Sequence, residues 1–180
     1  YKANLFLGAG SALAAAEESG HYYHRLTLNG LTVSGENSAV TVLLFLAALK
    51  KDPRLLQSLW SLQDRVFTTG EFNYQFPDDT ARDAALAALV ASCTSKGARS
   101  TTTTPDGIDL QGTCLDKGVH LTPGNVSLDE GWFSGYLREA TNEKGVVRSY
   151  FSAGDTAVGR ALEAETRELL GRRFGGRVVE

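Results

Sequence analysis

The sequence holds no methionine, two cysteines, three histidines and four prolines in 180 residues. Each shortage excludes something. Without a methionine at its head, Tyr1 reads as a processed end, with a targeting segment or anchor expected before it. Two cysteines do not make a zinc centre unless further ligands lie close by, and their spacing offers none. No run of about 18 apolar residues occurs, so no segment reads as a membrane-spanning helix. The longest apolar stretch, Val42 to Leu49, stops at Lys50-Lys51 and suits a core helix. The formal net charge of -3 gives no chain-wide basic footprint for nucleic acid.

Local catalytic signatures are missing as well. No serine has the Gly-x-Ser-x-Gly setting. The carboxylate pairs Glu17-Glu18, Asp78-Asp79 and Asp129-Glu130 are adjacent in sequence, so their side chains point apart and read as caps or solvated faces. Asp106, Asp109 and Asp116 lack the compact spacing of a calcium loop. The residues therefore assign no catalytic group, no metal and no cofactor.

What remains is an ordinary globular composition, 42% hydrophobic, at the length of one domain. Residues 1–26 read as a long N-terminal helix, with Leu5, Ala9, Leu13, Ala16, Gly20 and Tyr23 at helical spacing. Residues 25–33 alternate around Asn29-Gly30, which predicts a strand pair or a turn-rich extended piece. Residues 38–95 read as a helical group with one strand, Glu71 to Phe76; Asp52-Pro53 and Asp78-Asp79 start new helices within it. Residues 95–113, rich in Thr and Gly, read as an exposed loop. Residues 117–153 read as two antiparallel hairpins, turning at Pro123-Gly124-Asn125 and at Asn142 to Gly145. A last helix is expected over 155–174.

Cys93 and Cys114 enclose the polar loop and are read as a disulfide, which would restrict the unfolded chain by about 3 kcal/mol. The alternative is two reduced, buried thiols. A bridge implies an oxidising location: periplasmic, cell-surface or extracellular. His21 and His24 stand three apart on the expected helix and could begin a metal site, or form a polar edge. Gly8, Gly10 and Ser11 follow an apolar run and precede a helix, the layout that admits a phosphate. Leu13 stands where a dinucleotide fingerprint has its third glycine.

The run Ala12-Leu13-Ala14-Ala15-Ala16-Glu17-Glu18-Ser19-Gly20, with Tyr22-Tyr23 and Leu26, resembles the helix just beyond the membrane in minor pilins of type IV pili and in minor pseudopilins of type II secretion. The resemblance covers roughly the first 26 residues. It implies an α+β fold: a long N-terminal helix packed on an antiparallel sheet of four or five strands, with an inserted helical group and a C-terminal helix. It also implies an exported structural subunit acting in filament assembly, DNA uptake, adhesion or secretion. The partners would be other pilin-like subunits or another protein, and DNA at the filament. The membrane would be reached through a segment preceding Tyr1. Leu5, Leu13 and Ala16 would pack that helix on the sheet or on neighbouring subunits. Trp132, Phe133 and Tyr136 would supply either a contact surface or core. Two other classes stand beside this one: a nucleotide-binding enzyme or sensor using Gly8 to Ser11, and a secreted binding or inhibitor domain.

Overall fold

A computed structural model describes residues 14–16, 21–103, 107, 109–122, 125–140 and 143–179. The chain divides into two compact units, Tyr1–Trp60 and Ser61–Glu180.

The first unit is built on a three-stranded antiparallel sheet of β1 (Ala14–Ala16), β2 (Tyr22–Leu28) and β3 (Leu31–Glu36). The β2–β3 hairpin turns at Asn29 and Gly30, whose φ angles of 50° and 79° are both positive. That is the geometry an Asn-Gly turn supplies, and its twist matches the strands it joins. Helix α1 (Ser38–Lys51) follows at once. The Asn37 side chain accepts a hydrogen bond from the Val40 amide at 3.0 Å and so starts the helix. The Asp52 amide donates to the Ala48 carbonyl at its end, and Lys50 and Lys51 sit favourably in the last turn. Helix α2 (Leu55–Gln63) begins after Pro53.

The second unit is a seven-stranded antiparallel sheet with helices on one face. Its strands are β4 (Phe67–Thr68), β5 (Phe72–Gln75), β6 (Arg99–Thr103), β7 (Asp109–Thr122), β8 (Asn125–Glu139), β9 (Val146–Ala153) and β10 (Arg177–Val178). Their order is β10-β5-β9-β8-β7-β6, with β4 pairing β9 as well. Helix α3 (Asp79–Ser95) is capped by Asp78, whose side chain accepts from the Ala81 amide. Helix α4 (Thr156–Thr166) is capped by Asp155 and continues as a π-helix over Arg167–Arg173.

Period-two alternation decides what each strand buries. Phe72 and Tyr74 of β5, Leu115 of β7, Phe133 and Leu137 of β8, and Val147 and Phe151 of β9 form one core with Leu89 and Cys93 of α3 and Leu162 and Leu170 of the last helix. Gly135 admits the Phe151 ring, which lies where a Cβ would stand.

The expected fold is overturned in its main feature, since the molecule is mostly sheet and the described residues contain no long N-terminal helix. Residues 14–16 and 22–26, inside that expected helix, lie in strands. Alanine's helical preference is a weak prior. Tyr22, Tyr23 and Thr27 favour the pleated surface, and pairing with β3 runs continuously from Tyr23↔Glu36 to Leu28↔Leu31. The Thr-rich segment expected as a loop supplies β6 and the start of β7. Threonine is β-branched, and at a sheet edge its polarity is no obstacle.

The expected bridge is not formed: Cys93 and Cys114 are both reduced. Cys93 lies in the core with Leu115, whereas Cys114 precedes Leu115 on β7 and faces the other side of the sheet. A bond between them would require the strand to turn over by one residue.

Candidate interaction surface

In the first unit, apolar side chains lie on the outside. Leu26 pairs with Val33 and Leu28 with Leu31 across the hairpin, so all four share one face. Leu28 is 74% exposed and Leu31 68%. Thr27 and Thr32 occupy the opposite face, with their hydroxyls 3.0 Å apart. The hairpin is thus two-sided, and its greasy side is uncovered. Its base is tied to α1 by His24, whose Nε2 lies 2.7 Å from the Thr41 hydroxyl.

Helix α1 has no buried residue. Val42, Leu43, Leu44, Phe45 and Leu46 are consecutive and exposed, so they surround more than a full turn. A helix that is apolar all round belongs inside something. Its 14 residues give a length of about 21 Å, short of the ~30 Å hydrocarbon layer. Among the described residues, no helix is long and apolar enough to cross a membrane. Helix α2 adds Leu56, Leu59 and Trp60, all exposed.

The size of this surface decides its meaning. At roughly 150–200 Å² per large apolar residue, the exposed fractions of these twelve side chains amount to on the order of 1,000 Å². Monomeric proteins rarely expose a contiguous apolar patch above about 600 Å², and α1 alone exposes on the order of 500 Å² around its circumference. A standard protein interface takes about 800 Å² from each partner. Removing apolar surface of this extent from water is favourable.

The second unit carries a cleft of about 550 Å³, lined by residues 128–132 of β8 and by Gly154, Asp155 and Val158. The Trp132 indole lies over Gly154, where a Cβ would meet it. Two of its three carboxylates already have work: Asp155 accepts from the Ala157 and Val158 amides, and Asp129 lies 2.9 Å from His120 Nε2.

The three aromatics expected to act together separate. Phe133 is core, so it offers no contact surface. Trp132 lines the cleft. Tyr136 lies on the helix-free face, donates its hydroxyl to the Leu110 carbonyl at 2.9 Å, and stands beside Tyr150 with ring centroids 6.4 Å apart. Burial raises the Tyr136 pKa. His21 immediately precedes β2 and His24 lies within it, so the two do not share a helical face. The Cys93 thiol is pushed up to about 11, first by burial and then by the Glu165 carboxylate, which disfavours a nucleophilic role. Leu5, Gly8, Gly10, Ser11 and Leu13 lie outside the described residues, and Ala16 ends β1.

The sequence places an apolar helix at α1 but assigns it to the core, and it gives the hairpin leucines no role, because an apolar run looks the same in a core and at an interface. The available signal was the lack of any polar gap from Val42 to Leu49, which leaves the helix no wet side. No family model, curated protein or solved structure matches the chain.

Proposed function

We propose that this chain is an interaction subunit, with its Tyr1–Trp60 unit serving as a docking element for protein. The observation that carries this reading is α1, a capped helix of 14 residues with an apolar circumference and no buried side chain. The helix-covered sheet of the second unit supplies a separately stabilised body. The proposal keeps the general role expected from the pilin resemblance, assembly, and leaves out the filament, because the helix behind that resemblance contains strands. No compartment is proposed, since the thiols that argued for export face opposite sides of a sheet.

The test is the size of the protein in extracts of the cells that make it. Wild type is expected to elute well above its own 19.3 kDa, and the double variant Leu43→Asp with Leu46→Asp to elute near that mass. Wild type eluting at its own mass would count against the reading.

A further inference from the structure

We infer that α1 docks on a second copy of this chain, the two helices lying antiparallel about a two-fold axis. This inference rests on the reading of α1 as a docking element and names its occupant.

The first argument is area. Val42 to Leu46 of α1 expose on the order of 500 Å² of apolar side chain per copy, and the hairpin and α2 residues bring the total to on the order of 1,000 Å², so the helix pair reaches the ~800 Å² per partner of a standard interface together with those neighbours. An identical patch on each copy meets the requirement of an isologous contact. Nothing polar interrupts the seam: no side chain from Val42 to Leu49 carries a donor or acceptor. Thr41, just before it, is bonded to His24.

The second argument is charge. Glu36 stands two residues before α1, and Lys50 and Lys51 form its last turn. All three are exposed, and none has an ion pair among the described residues. The two ends are separated by the helix length of about 21 Å. An antiparallel pair brings Glu36 of each copy beside Lys50 and Lys51 of the other, once at either end. A parallel pair would set lysines against lysines. The antiparallel arrangement also opposes the two helix dipoles. The apolar surface thus supplies the affinity and the terminal charges set the direction.

Sedimentation equilibrium of the purified full chain over a wide concentration range tests this. The expected species is a dimer, about twice 19.3 kDa, dissociating on dilution. Lys50→Glu with Lys51→Glu is expected to weaken the dimer at least tenfold by setting like charges together at both ends. Adding Glu36→Lys is expected to restore it to within a few-fold of wild type. All three positions are exposed, and circular dichroism checks that each variant keeps its fold. A dimer indifferent to the reversal, or a reversal that Glu36→Lys fails to rescue, would overturn the antiparallel pairing. A monomer at every concentration overturns self-pairing. If that monomer is part of a larger species in cell extract, the docking reading stands with another protein as occupant; if it is not, both readings fail. A monomer that floats with phosphatidylglycerol vesicles makes an anionic lipid surface the occupant and likewise overturns self-pairing.

Discussion

Leu89 and Leu43 are the same side chain in opposite situations. Leu89 is fully buried in the core of the second unit, and Leu43 is 66% exposed on α1. Leu89→Ala leaves a cavity among packed atoms and is expected to cost about 2–5 kcal/mol in chemical denaturation. Leu43→Ala is expected to change the stability of the dissociated chain by less than about 0.5 kcal/mol. Equal losses would mean that Leu43 is packed within its own chain. Cys93 gives a second residue-scale expectation. With its thiol pushed up to about 11 and its side chain in the core, it should resist alkylation at pH 8 until the protein unfolds. Rapid labelling of Cys93 in the native protein, or a Cys93–Cys114 bridge found by mass spectrometry, would contradict the packing described.

Glu163 sets a pH dependence at one turn of α4. Its carboxylate is held below the ordinary value of 4.5, chiefly by hydrogen bonding to Arg167 and then to Arg160, against the opposing effect of burial. A depressed folded pKa contributes stability above the unfolded value, and that contribution is lost as pH falls through the folded value. Stability should therefore decline from about pH 4.5 downward, and Glu163→Gln should flatten that part of the acid limb. An unchanged acid limb in the variant would count against this ion-pair cluster.

Among elements, legibility follows from how local the governing physics is. Asn29-Gly30, the Asp78 cap and the turn before Val146 are settled by a few adjacent residues, and the hairpins and helices they define lie close to where the sequence puts them. Ala14 to Ala16 and Arg99 to Thr103 are settled by a neighbouring strand, so their local composition misleads. The face on which Cys114 lies depends on register, which a one-residue slip reverses. Element interiors can be read the same way. Gly135→Ala would drive a methyl into the Phe151 ring at the centre of the sheet, and about 1–3 kcal/mol of destabilisation is expected in urea melts. A neutral result would show that the ring and β8 are not in contact.

At the scale of the whole molecule, the two units differ in how they are held. The second has a continuous core of sheet and helix residues. A fragment of residues 64–180 contains all of that core and is expected to melt in a single cooperative transition. The first has a hairpin, a capped helix and a large uncovered apolar surface. On the proposed reading a partner covers that surface, and the role of α1 was not legible from sequence because an apolar run names no partner. The most direct measurement is photo-crosslinking in the producing cells from probes at positions 43 and 46, with probes at the exposed positions 160 and 168 as controls. The account predicts discrete protein–protein adducts from 43 and 46 and none from the controls. Adducts formed only within a single copy of the chain, or equal yields from all four positions, would contradict it.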